Sequence, residues 1–159
     1  MEDARARAIE GIRAGDVFVA TRIFTDDETL AFADLSLDYN PIHFDRRFTE
    51  TKGFRGPVCH GLLVGGMVTE IGGQIGMLAS GMNFRFRKPV YFGDTVTCRL
   101  TVDEMDDRNR VKCSAVFANQ DGDTVIEAQL FGIVPGPVER EVMVKMVEEG
   151  DPTNRLRGE

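Results

Sequence analysis

The chain has 159 residues, 42% hydrophobic and 28% charged, an ordinary globular composition with enough length for one proper core. A formal net charge of −7 argues against nucleic acid, which needs clustered Lys and Arg, although a few local cations can still meet an anionic substrate. The start MEDARARAIEG lacks a signal peptide's apolar centre, no stretch approaches a membrane span, and Cys59, Cys98 and Cys113 form neither a paired framework nor a zinc motif. These features predict a cytoplasmic protein with no membrane or nucleic-acid partner.

In chain order, residues 1–14 read as a short charged lead-in helix and Asp16 to Phe24 as an alternating strand. TDDE (Thr25 to Glu28) is a capping box that opens a helix through Leu30, Phe32 and Leu35. That helix must stop before Pro41, which disfavours helix at the residue preceding it. The segment HGLLVGGMVTEIGGQIGML (His60 to Leu78) has one acid, Glu70, and no Lys or Arg, which predicts one long helix buried on most sides. Its four central glycines, Gly65, Gly66, Gly72 and Gly73, lower helix propensity and suggest that other backbone packs closely against it.

From Gly81 the period becomes two: Met82, Phe84 and Phe86 alternate with polar residues. Past the KPVYFGD turn the same holds for Val96, Cys98, Leu100 and Val102 and, after DDRN, for Val111, Cys113, Ala115 and Phe117. NQDGD then turns the chain into a strand over residues 124–134. Short turns make these neighbours antiparallel, as in a meander. Cys98 and Cys113 lie in phase with the apolar face and should be reduced core residues. One buried helix followed by antiparallel strands predicts an α+β fold of hot-dog type, with the sheet wrapped around a long central helix. Beyond this core (residues 15–135), the extension 136–159 offers Val142, Met143, Met146 and Val147 as a packing stripe, and DPTNRLRGE should be a frayed tail.

Two places could hold chemistry. In Asp38-Tyr39-Asn40-Pro41-Ile42-His43, Pro41 stiffens a loop that can set Asp38 and His43 around one water, a carboxylate and an imidazole suited to proton transfer, with Asn40 orienting either. The same residues can equally make a plain turn capped by Asp38. In PVCHGLLVGG (residues 57–66), the free N–H groups at the helix start can stabilise a negative oxygen, and Gly61 lets a carbonyl approach. Alternatively Gly61 only permits tight packing and His60 satisfies backbone groups at the helix entrance. A metal held by Asp38, His43 and Asp45 lacks a convincing further ligand, and a Cys59–His60 nucleophile is weak because adjacent residues point apart. Arg85, Arg87 and Lys88 can meet phosphates or simply solvate a strand edge.

Taken together, DYNPIH, CHGLLVGG and FRKPVYFGDTV resemble the D-x-N-P-x-H signature, the H-G helix start and the strand-and-turn segment of the MaoC-like family of hot-dog hydratases, which includes (R)-specific enoyl-CoA hydratases. The resemblance spans about residues 15–135. It implies that Asp38 and His43 hold a catalytic water, with Asp38 as base at C3 of a 2-enoyl thioester, that Asn40 supports the loop, and that the Gly61 N–H binds the thioester oxygen. It places Leu62, Leu63 and His60 in substrate binding. It implies an acyl-CoA or acyl-carrier thioester substrate, no separate cofactor and no metal (coenzyme A being part of the substrate), and a homodimer. A hot-dog thioesterase and a non-catalytic acyl-binding subunit of a heteromeric dehydratase are the alternatives, and the complete Asp38/His43 pair counts against both.

Overall fold

The computed structural model describes residues 4–151 and 153. In order they form α1 (Ala4–Glu10), β1 (Val17–Ile23), α2 (Asp26–Ser36), a 3-10 turn (Pro41–His43), α3 (Arg46–Glu50), α4 (Gly61–Gly65), α5 (Met67–Ile75), β2 (Leu78–Phe86), β3 (Thr95–Met105), β4 (Arg110–Ala118), β5 (Thr124–Ile133) and α6 (Pro137–Glu148). The first three residues of the expected lead-in helix, and most of the tail, lie outside the described residues.

The five strands make one antiparallel sheet in the order β1-β3-β4-β5-β2. Its inner face is built by register: Phe18 opposes Leu100, Leu100 opposes Ala115, and Ala115 opposes Ala128. One row over, Cys98 opposes Phe117, which opposes Ile126. Because side chains alternate along a strand, these pairs share one face, and Cys98, Cys113, Leu100 and Phe117 are fully buried there. All three cysteines are free thiols. Against this face lies α5, with Met67, Val68, Ile71 and Ile75 in the same core cluster, so the sheet and helix form the hot-dog arrangement. No described helix is long and apolar enough to cross a membrane.

Five expectations need correction. The meander holds for β3, β4 and β5, but β2 does not neighbour β3; it pairs with β5 at the far edge, Phe84 opposite Ala128. Most of β2 is exposed, with Phe84 half-buried, as an edge strand allows. The apolar helix is divided at Gly66 and ends at Ile75, where Gly76 takes a left-handed conformation (φ 69) open to glycine and uncommon for other residues. Close backbone packing does not explain Gly72 or Gly73, since a Cβ at either would meet nothing within 4 Å. In α6 only Met143 of the expected stripe is buried. The tail begins anchored, because buried Asp151 pairs with Arg5 of α1 at 3.5 Å.

Local rules positioned α2 well. Thr25 Oγ1 accepts the Glu28 N–H and Glu28 Oε2 accepts the Thr25 N–H, both at 3.2 Å. Its buried contacts are Thr29 and Ala33, while Leu30 and Leu35 stay exposed.

Candidate active site

The site begins where α2 ends. Leu37 caps the helix in a left-handed conformation (φ 61), which swings the chain sharply and presents Asp38. Asp38 Oδ1 accepts the Asn40 N–H at 3.2 Å, and Asn40 Oδ1 accepts the Ile42 N–H at 3.1 Å, so consecutive side chains turn their own backbone. Pro41 opens the 3-10 turn that ends at His43. Thus Asp38 does serve the turn, through one oxygen only. Asn40 supports the loop and, through its side chain, orients neither Asp38 nor His43. Tyr39 departs from the site and donates its hydroxyl to Asp34.

The other Asp38 oxygen lies 3.8 Å from His43 Nε2 and 3.9 Å from His60 Nε2. His43 is buried, and its Nδ1 lies 2.7 Å from the Val58 carbonyl. A carbonyl only accepts, so Nδ1 carries the proton and, in the neutral ring, Nε2 presents a lone pair toward Asp38. Burial, partly offset by the Val58 hydrogen bond, holds the His43 pKa below its ordinary 6.5. His60 is 1% exposed and stacks on His43, ring centres 3.7 Å apart and planes inclined by 26°. Its Nε2 reaches the Asp38 carbonyl at 2.9 Å. It therefore satisfies a backbone group of the Asp38 loop and not one at its own helix entrance.

Gly61 opens α4 directly after His60, and its N–H is among those at a helix start without an intrahelical acceptor. A Cβ at this position would lie 2.6 Å from the Phe86 ring, so glycine permits that close approach. Asp38, both histidines and Gly61 share a cavity of about 450 Å³. Phe32, Phe54, Val58, Val64, Phe86, Val90 and Ile126 give it a largely apolar wall, an arrangement typical of sites for small organic ligands.

Three comparisons with known proteins bear on this geometry. A family model described as a MaoC like domain matches residues 13–123. The chain belongs to the MaoC-like family. A mitochondrial 3-hydroxyacyl-[acyl-carrier-protein] dehydratase from Arabidopsis thaliana is 32% identical over 130 residues, covering 78% of both chains. The (R)-specific enoyl-CoA hydratase of Aeromonas caviae is 33% identical over 97 residues, 58% of this chain and 72% of that one. The solved structure of an (R)-hydratase from A. caviae superposes with a TM-score of 0.73 at 27% identity, covering 79% of this chain and 99% of that one. The protein is thus a hydratase or dehydratase of MaoC type.

Within the MaoC-like site, Leu62 lines the cavity, whereas Leu63 packs against the core and contributes no wall. Arg87 and Lys88 stand at the cavity, each paired with an acid, Glu127 at 2.6 Å and Asp123 at 2.8 Å; Arg85 is not among its lining residues. Asp45 is remote from any metal role: it caps α3 and binds the Arg47 guanidinium, which draws its carboxyl down to about 2. Asp38, His43 and His60 do offer three ligand atoms within 4.8 Å of one another. His60 Nε2 needs its proton for the Asp38 carbonyl and so offers no lone pair there, which leaves the set poorly suited to a metal. Cys59 also lines the cavity, with burial pushing its thiol up to about 11, which makes it a poor nucleophile. The aromatic walls from Phe32, Phe54 and Phe86 went unnoticed in the sequence; the only local signal was the phase of Phe86 in its strand.

Proposed function

We propose that this MaoC-type enzyme adds water reversibly across the double bond of a 2-enoyl thioester to give the (R)-3-hydroxyacyl thioester. The observation that carries the reading is the 3.8 Å gap between Asp38 Oδ2 and His43 Nε2 at the wall of an apolar cavity. That gap is too long for a direct hydrogen bond and within the span of one bridging water. Two acceptors then engage both hydrogens of the water and leave an oxygen lone pair aimed at C3. As the C3–O bond forms, Asp38 takes one proton and the C2=C3 electrons move toward the thioester oxygen, which meets the Gly61 N–H. The pair returns the proton to C2. Run backwards, the same steps eliminate water from a 3-hydroxyacyl thioester. The names of the relatives support both directions, and both coenzyme A and acyl-carrier esters. The coenzyme or carrier arm is part of the substrate and the drawn chemistry needs no further cofactor.

A homodimer fits the same reading, because β2 is an edge strand with Leu78, Met82 and Phe86 exposed, and a partner sheet would cover them. Crotonyl-CoA and longer enoyl-CoAs test the reaction: enone absorbance falls without release of free thiol. Free thiol in step with that loss identifies a thioesterase instead. Sedimentation of an active monomer at micromolar concentration would remove the dimer.

A further inference from the structure

The loop that carries Asp38 and His43 is gripped at both ends by one extended segment. The Val58 carbonyl takes the His43 Nδ1–H, and two residues later the His60 side chain reaches the Asp38 carbonyl. Between them the Cys59 N–H is fixed to the Val90 carbonyl at 2.8 Å, so the gripping segment is itself anchored to the fold. The other bonds made by Asp38 are local, to Ser36 Oγ and the Asn40 N–H.

We propose that His60 is the positioning residue of this site: its Nε2–H pins the Asp38 main chain, and its ring face holds the His43 imidazole with Nε2 aimed at the Asp38 carboxylate. The proposal rests on the hydratase/dehydratase reading and deepens it. With the proton on Nε2, the His60 Nδ1 is a bare lone pair, and it is buried without a partner. A position that needed only ring volume would be filled by phenylalanine without that penalty, as Phe32, 5.0 Å away, shows on the neighbouring helix. The donor is therefore what the histidine adds.

Stacking adds a second effect. The stacked His60 ring opposes a proton on His43 and so helps keep His43 neutral with its lone pair available. The groups that face His43 are Asp38 from the loop and the Val58 carbonyl from the extended segment, which favour its imidazolium, and His60, which opposes it. Phe44 from its own turn is apolar. Across the cavity Arg87 and Lys88 are paired with Glu127 and Asp123.

Two variants and one measurement on the unaltered protein test this. His60→Gln keeps an N–H near the Nε2 position and loses the titrating ring; His60→Phe keeps the ring and loses the donor. With crotonyl-CoA, His60→Phe should lower kcat by about 10–100-fold with KM within about twofold, and His60→Gln, which restores the donor but not the stacked ring, should recover about tenfold of that loss without reaching wild type. In both, the acidic limb of kcat/KM should move to higher pH, because the neighbour opposing the His43 imidazolium is gone. Wild-type kcat in His60→Phe, or a Gln variant no better than Phe, would overturn the proposal. Since the chain has two histidines, ¹⁵N NMR of the wild-type rings at mildly alkaline pH reads both tautomers directly even if a variant does not fold. Protons on His43 Nδ1 and His60 Nε2 are expected, and a His60 proton on Nδ1 overturns the pin. A wild-type protein inert toward every enoyl and 3-hydroxyacyl thioester is a failure of the functional reading alone, and the tautomers still decide what His60 holds.

Discussion

Helix α5 and the loop from Asp38 to His43 are held by different means, the helix by volume and the loop by directed bonds. Met67, Val68, Ile71 and Ile75 fill the space under the sheet and each is at most 1% exposed. The loop leaves Tyr39 exposed and takes its position from hydrogen bonds of 2.7, 2.9 and 3.2 Å to the segment 58–60. An element held by volume loses stability when atoms are deleted. An element held by bonds loses its geometry when a donor or acceptor is exchanged, even if the fold survives. Activity and stability should therefore come apart in this molecule.

The largest expected effect is on rate. Asp38→Asn keeps an oxygen for the Asn40 N–H but removes the base, so turnover should fall by about 10²–10⁴-fold while stability moves by less than about 1 kcal/mol. His43→Gln should behave alike, and the double variant should be little worse than the poorer single one. Turnover and denaturant midpoint measured on the same samples check both, and full activity in either single variant would end the mechanism drawn here. On the other side, Ile71→Ala should cost about 2–5 kcal/mol of stability and leave turnover per folded molecule near wild type. A parallel loss of turnover would mean that α5 and the loop are coupled after all.

A third expectation uses pH. Because His43 is held below 6.5, its proton binds more readily to the unfolded chain. Its contribution to stability is thus present above about pH 6.5 and is lost as pH falls toward the native value. Activity that needs the neutral ring should keep its acidic limb below 6.5 as well. Comparing wild type with His43→Gln in denaturant at several pH values isolates this slope. The smallest effect sharpens the volume side: Gly73→Ala, where an added Cβ meets open space, should stabilise by about 0.4–1 kcal/mol, and Gly72→Ala similarly. Destabilisation by either would show that α5 needs its glycines for a reason beyond the static packing.

What could be read in the sequence was what neighbouring residues decide together. The capping box at Thr25 to Glu28, the alternation through Cys98 and Cys113 and the non-helical Asn40 before Pro41 are all local, and all appear as expected. The β2–β5 pairing was hidden because short turns report only sequential neighbours, and the chain between Phe86 and Thr95 carries β3 away from β2. Helix α3 was missed because five residues show too little periodicity; Asp45 as its cap was the available signal. The loop announced Asp38 and His43 but not the ring 22 residues from Asp38 that locks them, since stacking of His60 on His43 depends on how an extended segment crosses the loop. DYNPIH carries the two groups proposed to react, and CHG carries the histidine that stacks on one of them.

One wall of the cavity carries a sulfhydryl, and the 2-enoyl thioester proposed as substrate is an electrophile at the carbon that water would attack. Conjugate addition of Cys59 would alkylate the enzyme with its own substrate. With the thiol pushed up to about 11, roughly one molecule in ten thousand carries the thiolate at neutral pH. Under the proposed reaction, burial of Cys59 is a form of chemical selectivity, leaving water as the nucleophile that a bound enoyl ester would meet in its reactive form.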